Sequence, residues 1–199
     1  VDGAHSIVLA TIRGEAWLRR AVNAAELAGL DVLVVASDDA LPDVTDVMGD
    51  SKHVVRPADV SAAVGQVDKL LVHDPLCPFT PPEFLASMEG YGDEGINAVG
   101  VLAVTDTVKT ADGSVVTGTL DRAGLGMIAS PLVAVGESID LIVQRPEQVL
   151  DVPTLVHRLA AAGPMAFVPA PSTAARVGEP SELELLESAD EVRRLTHEP

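Results

Sequence analysis

The chain has 199 residues, 47% of them hydrophobic, a formal net charge of −17 and a single cysteine. That is enough apolar material for one globular domain with a substantial core, while the charge disfavours a nucleic-acid backbone or an anionic membrane surface as partner and opposes any polyanion, such as a nucleoside triphosphate, unless a basic cluster or a metal ion compensates. Cys77 cannot form an intrachain disulfide, no apolar run reaches the roughly 18 residues that span a bilayer, and no basic region followed by an apolar segment opens the sequence, so a cytoplasmic location is expected.

Taken in order, Ser6–Thr11 is a continuous apolar run of strand length, followed by Ile12, Arg13 and Gly14. Leu18, Val22, Ala25 and Ala28 then recur at steps of three and four, which predicts a helix closed by Gly29. Asp31–Ser37 reads as a second buried strand, completing a βαβ unit with a right-handed crossover. The acidic stretch after it permits a short helix around Val44–Met48. Lys52–Arg56 is expected as a short strand, Asp59–Gln66 as a helix capped by Asp59, and Lys69–His73 as the strand that ends in Asp74. Thr80-Pro81-Pro82-Glu83 combines an N-cap, a proline in the first turn and a glutamate at the third position, and predicts a helix to about Tyr91.

Val99–Val104 and Leu125–Ala129 read as buried strands. Between them, Thr105–Lys109 and Ser114–Leu120 flank Ala111-Asp112-Gly113 in the pattern of a β-hairpin. Apart from Val108, Val115, Val116 and Leu120 this ribbon has little to bury, and an isolated two-stranded hairpin is marginal in water. It must lie on something else: an arm reaching a second subunit and a hairpin folded back on its own domain both satisfy the pattern. Farther on, Glu137–Gln144 and Pro153–Ala162 are expected as helices, Ala166–Pro169 as a strand, and Ser181–Glu184 as a capping box opening a last helix with Leu183, Leu186 and Val192 on one side. Strands alternating with helices imply a single three-layer α/β domain with a mainly parallel sheet, whose ligands sit beyond the carboxyl ends of the strands. Thr11 and Asp74 fall at such ends.

Three stretches carry a family resemblance. Thr105–Lys109 (T-D-T-V-K), Thr119–Leu125 (T-L-D-R-A-G-L) and Ser130-Pro131 resemble the arm of bacterial 2-C-methyl-D-erythritol 4-phosphate cytidylyltransferase; Leu70–Pro78 (L-L-V-H-D-P-L-C-P) resembles that family's strand ending in H-D-A-A-R-P; and Arg176–Leu183 (R-V-G-E-P-S-E-L) resembles its K-V-T-x-P-E-D-L. The resemblance implies the nucleotidyltransferase version of the fold, a Rossmann-like sheet with a projecting hairpin arm, and a homodimer interlocked through that arm at about residues 105–122. It implies a sugar-phosphate side of the site at Asp74, Thr107, Arg122, Ser130 and Arg176. Three of these have a second reading from the residues alone: Asp74 closes the following turn, Thr107 is a strand residue, and Arg122 pairs with Asp121 or another acidic neighbour.

Two departures from the family pattern bear on chemistry. Members carry a glycine-rich loop after the first strand, with an arginine in it and a Pro-Lys pair beyond, whose amides and cations surround the triphosphate. Here Ile12-Arg13-Gly14 leads almost directly into a helix, one glycine cannot form a concave run of amides, and no lysine precedes Lys52. In the second departure Cys77 stands where H-D-A-A-R-P has its arginine, and a thiol cannot give a bidentate, charge-assisted pair. If each lost contact removes about 2.7 to 4 kcal/mol of transition-state stabilisation, catalysis by the usual route falls by many powers of ten. The expectation is therefore a dimeric, non-catalytic paralogue that binds a small sugar phosphate or nucleotide. The alternative is an active cytidylyltransferase of isoprenoid precursor synthesis in which Arg13, Arg19 or Arg20, Thr11 and a Mg²⁺ ion hold the triphosphate; Mg²⁺ is expected only in that case. His5, His53, His73, His157 and His197 are dispersed without metal-ligand spacing, and the prolines around Cys77 give no sign of an activated thiolate.

Overall fold

A computed structural model of the chain describes residues 9, 11–12, 14–49, 54–178 and 180–197. The strand expected over Ser6–Thr11 lies, apart from Leu9 and Thr11, outside the described residues, as does Arg13. The chain then makes a short antiparallel pair, β1 (Thr11–Ile12) with β2 (Glu15–Ala16), in which Ile12 is paired with Glu15 and Gly14 sits at φ +86°. Helix α1 (Trp17–Leu27) starts at once and ends with Gly29 at φ +83°, the left-handed position that a glycine takes without strain. Leu18, Val22 and Ala25 are on its buried side as the periodicity requires.

β3 (Val34–Val35) and β4 (Val54–Val55) form a small parallel pair beside α1 and α2 (Leu41–Met48), around a core of Leu18, Val22, Val34, Ala36, Val44 and Met48. β3 is shorter than the run Asp31–Ser37 that predicts it, and of the strand expected over Lys52–Arg56 Val54 and Val55 are paired, while Lys52 and His53 lie outside the described residues. A 3₁₀ turn at Pro57–Asp59 leads into α3 (Val60–Val64). Asp59 does not cap this helix: the turn extends the helical backbone through it and its side chain makes no cap bond.

The main sheet has strand order β10–β6–β9–β5, from β5 (Lys69–Val72), β6 (Asn97–Ala103), β9 (Gly126–Val135) and β10 (Met165–Pro169). β10 and β6 are parallel and β9 is antiparallel to both β6 and β5, so β5, β6 and β10 run one way and β9 alone is reversed. The alternation of side chains across β9 makes the layers. Leu132 and Ala134 join Val72, Val99 and the apolar sides of α5 (Glu137–Val143) and α6 (Val152–Ala162). Val133 faces the other way, onto Phe84 and Met88 of α4 (Pro82–Asp93). Ala24 and Ala25 of α1 complete that outer layer against Leu85. This is the three-layer α/β arrangement the pattern implies.

Thr80 is not the cap of α4. Pro81 occupies that place, and the buried Thr80 hydroxyl instead donates to the Cys77 carbonyl (2.9 Å), tightening the loop before the helix. The last helix, α7 (Pro180–His197), likewise begins one residue before the expected capping box, with the Glu182 carboxylate accepting from the Gly178 N–H (2.6 Å). Leu186 is packed against the core, but Val192 is 60% exposed and so does not share that side. Among the described residues no helix is long and apolar enough to cross a membrane.

Between β6 and β9 the hairpin forms its own two-stranded sheet from β7 (Lys109–Asp112) and β8 (Val115–Thr119). Its turn lies at Gly113-Ser114, one residue later than the pattern suggests, because Gly113 (φ +57°) takes the left-handed position. Thr105–Lys109 is accordingly not a strand throughout; only Lys109 belongs to the ladder, and Val108 meets the opposite side through its carbonyl, which accepts from the Leu120 N–H. The ribbon is not laid back on its own domain: Val115, Val116 and Leu120 are 65%, 62% and 46% exposed.

Candidate functional site

β5 ends at Val72 and delivers His73 and Asp74 to the carboxyl edge of the sheet, where a doubly wound fold presents its ligands. An Asx turn comes next. Asp74 Oδ1 accepts from the Leu76 N–H (2.9 Å), and the Asp74 carbonyl accepts from the Cys77 N–H (2.9 Å). Those bonds fix the direction of the carboxylate, whose second oxygen, Oδ2, accepts from Arg176 Nε (2.8 Å).

Ser130 reaches this point through an irregularity in the sheet. Val99 pairs with Leu132 and Val101 with Ile128, so Ala129, Ser130 and Pro131 of β9 stand opposite Gly100 alone. A bulge of this kind re-aims a side chain and is where a central strand can accommodate a proline that has no N–H to give; the Ser130-Pro131 bond is cis. Gly100 is the other half of the device. A Cβ there would stand 3.3 Å from the Phe84 ring, a tight contact that would require the ring to give by a few tenths of an ångström, so the bulge packs most closely over a residue without one. The result is that Ser130 Oγ lies 2.7 Å from the Asp74 N–H, from which it accepts, and 2.7 Å from His73 Nδ1.

Burial pushes His73 down to about 4, the neighbouring Asp74 charge opposing the shift. A neutral ring can accept the Ser130 hydroxyl through Nδ1 while that oxygen accepts the Asp74 N–H, which puts the ring proton on Nε2, a buried atom with no partner among the described residues. Cys77 is also buried, and burial pushes its thiol up to about 12. That is the opposite of an activated thiolate.

Arg176 is held from behind. The strand of chain after the 3₁₀ turn Ser172–Ala174 runs along the loop that succeeds β5, with the Val177 N–H donating to the Leu76 carbonyl (2.8 Å) and Val177 fully buried beside Trp17, Leu76 and Phe79. The Arg176 side chain remains 49% exposed, with Nε on Asp74. A guanidinium so placed can meet an oxyanion bidentately.

The structure therefore brings Asp74, Ser130 and Arg176 together. Thr107 is exposed at the base of the hairpin, and Arg122 lies across from it, its Nη1 donating to the Thr105 carbonyl rather than to Asp121. Both are on the arm, apart from the Asp74 cluster in this chain. Thr11 is exposed in β1. Arg19 donates to the Val47 carbonyl (2.5 Å), which ties α1 to the end of α2 and places it among Val22, Val34 and Met48. Arg20 is a brace: Nε donates to the Pro78 carbonyl (3.1 Å), Nη2 to Asp190 (2.7 Å), and the guanidinium lies 4.4 Å over the Phe79 ring. His73 and the Gly100 bulge were not evident as site features in the sequence; a proline inside an apolar strand run is the one signal that points to the bulge.

Among the described residues no group of three or more His, Cys, Asp or Glu side chains is arranged to hold a metal ion. Mg²⁺ sites lean on one or two carboxylates and substrate phosphates. Asp74 is already engaged by Arg176 and the Leu76 N–H, so the residues present do not make a preformed site for that ion.

Comparison with known proteins agrees along the chain. The family model for IspD, 2-C-methyl-D-erythritol 4-phosphate cytidylyltransferase, matches residues 5–145. The 2-C-methyl-D-erythritol 4-phosphate cytidylyltransferase of Saccharopolyspora erythraea is 30% identical over 204 aligned positions, covering 90% of this chain and 88% of that protein. The bifunctional enzyme IspD/IspF of Clavibacter michiganensis subsp. michiganensis is 40% identical over 76 residues, which cover 37% of this chain and 18% of that protein's length. Among solved structures, that of 2-C-methyl-D-erythritol 4-phosphate cytidylyltransferase from Thermus thermophilus superimposes with a TM-score of 0.67 at 22% identity, covering 93% of each chain, a likeness of fold.

Proposed function

From the premise that the chain belongs to the 2-C-methyl-D-erythritol 4-phosphate cytidylyltransferase family, we propose that it is a member that keeps the sugar-phosphate side of the site and has lost the triphosphate side, acting as a dimeric, non-catalytic paralogue that binds a small phosphorylated polyol. One observation carries the reading: Ile12 is paired with Glu15 and α1 begins at Trp17, so the backbone reverses and enters a helix where a triphosphate needs a concave loop of amides.

The engagement of the neighbouring cations supports it. Arg19 is committed to the Val47 carbonyl, and Arg20 to Pro78, Asp190 and the Phe79 ring. Withdrawing Arg19 to meet a phosphate would leave the Val47 carbonyl without that donor, and withdrawing Arg20 would break its nearly buried pair with Asp190, which Arg193 also meets at 3.3 Å. Asp74, Ser130 and Arg176, by contrast, are assembled at one point, with Ser130 buried behind Asp74 and the half-exposed Arg176 offering its guanidinium to a phosphate monoester beside the Asp74 carboxylate.

Calorimetry with CTP and Mg²⁺, followed by a pyrophosphate-release assay with 2-C-methyl-D-erythritol 4-phosphate, tests the proposal. We expect no pyrophosphate release, and binding of the sugar phosphate alone that is weakened at least tenfold by Arg176→Ala. Micromolar CTP binding accompanied by pyrophosphate release would overturn the loss of activity. Failure of the sugar phosphate to bind would remove the retained half of the site.

A further inference from the structure

The Asp74–Arg176 pair joins two stretches of chain that the main sheet does not hold together. Asp74 opens the loop after β5, and Arg176 lies on the segment between the 3₁₀ turn Ser172–Ala174 and α7. A half-exposed ion pair is worth little by itself, because water screens it and two side chains must be ordered to make it. Other contacts must keep loop and segment in register.

Helix α1 supplies them. Trp17 and Arg20 are three residues apart, so they lie on one side of that helix. Trp17 packs there with Leu76 and Phe79 of the loop and with Val177 of the segment. Arg20 adds the polar part of the joint: Nε donates to the Pro78 carbonyl (3.1 Å) and Nη2 to Asp190 (2.7 Å), with the guanidinium over the Phe79 ring. Pro78 and Phe79 end the loop that Asp74 begins, and Asp190 is on the helix that Arg176 leads into. The Glu182 carboxylate accepts from the Gly178 N–H (2.6 Å), which hitches the Arg176 segment to the first turn of α7. One side chain therefore grips both halves of the site. Arginine suits the task, since its planar guanidinium donates in two fixed directions while stacking on a ring, whereas a lysine ammonium keeps the charge without the fork.

We propose that Arg20 is a positioning residue of the phosphate site: it contacts no ligand, but by tying the Pro78 carbonyl to Asp190 it sets the Asp74 loop against the Arg176 segment. The Arg176 guanidinium is then already aimed when a phosphate monoester arrives, and its ordering is not charged against binding. The ligand comes from the functional reading above; the joint itself is geometry of the unliganded chain. Loss of Arg20 does not release α7, because Arg193 also meets Asp190 (3.3 Å) and pairs with Glu83 (2.7 Å), and Leu186 stays packed on the Trp17 cluster.

Two measurements on the full chain test this, the first without ligand. Nitrogen-15 NMR follows the exchange with water of the Arg176 Nε–H, identified by its absence from the spectrum of Arg176→Lys. We expect both Arg20→Gln and Arg20→Lys to speed that exchange at least fivefold while the circular dichroism spectrum is unchanged. Calorimetry with 2-C-methyl-D-erythritol 4-phosphate then reads the consequence. Arg20→Lys should weaken binding at least fivefold in the unmodified background and less than twofold when Arg176 is already alanine, since a residue that acts through Arg176 has nothing left to position. Unchanged exchange in both variants would overturn the proposal. Full rescue by Arg20→Lys would do the same, reducing Arg20 to a counter-charge for Asp190. Equal weakening in the two backgrounds would also sink it, by showing that Arg20 acts on the fold at large or on the ligand directly. Should the unmodified protein bind no sugar phosphate, the functional reading falls and the exchange measurement alone decides this one.

Discussion

Asp74 is held at every polar atom: its N–H by Ser130, its carbonyl by the Cys77 N–H, and its two carboxylate oxygens by Leu76 and Arg176. Rigid placement of this kind is what a recognition site needs, because the cost of ordering the group is met on folding and not on binding. His73 couples that placement to pH. Its folded value is lowered from 6.5 to about 4 by burial, so between those values the unfolded chain takes up a proton that the folded chain refuses. Stability is then fully present above about pH 6.5 and falls as pH drops toward 4, by an amount on the order of 3 kcal/mol from this residue. Urea denaturation at pH 7 and pH 4.5 on the unmodified protein and on His73→Asn measures it. The variant should lose less stability between the two pH values; identical losses would show that His73 is not the titrating group.

At the scale of elements, the β6–β9 pair does two jobs that its apolar sequence disguises. Its bulge at Gly100 turns Ser130 toward β5, and its far end carries the arm. Val115, Val116 and Leu120 on the ribbon and Leu125, Met127 and Ile128 at its root are all exposed in the single chain. A two-stranded ribbon with that much apolar surface gains by burying it, at about 25 cal/mol per Å² removed from water. The arm is accordingly proposed as a dimer contact. Removing 105–121 and joining the ends, which the Ala103–Gly126 pairing keeps close, should yield monomers by light scattering. A dimer that survives the deletion would place the interface elsewhere.

At the scale of the whole molecule, 30 acidic residues against 13 basic ones make a chain that repels itself. Its ion pairs, among them Lys69 with Glu89 and Asp93, Arg20 with Asp190 and Arg193 with Glu83, draw on only those 13 basic residues. Screening should therefore stabilise it: between low salt, where the Debye length is about 30 Å, and 0.3 M salt, where it is below about 10 Å, the melting temperature is expected to rise. A flat or falling melting temperature in a salt series would mean that the carboxylates are spaced widely enough not to matter.

The kinds of elements and their order were legible in the sequence because periodicity is a local property. Three- and four-residue spacing around Leu18, Val22 and Ala25 is buried as a helical stripe, and the apolar runs before His73 and after Ile96 are strands. The absence of a glycine-rich loop is likewise a statement about consecutive residues. What only the tertiary structure decided is which distant groups meet. Ser130 comes to Asp74 across 56 positions and Arg176 across 102, through a bulge and a crossing segment that no short-range pattern encodes. Arg20, which composition offers as a free cation, is drawn by the fold into a brace with Asp190, 170 positions away. Side-chain spacing fixes which face of an element turns inward, but the partners on that face are set by how the layers pack.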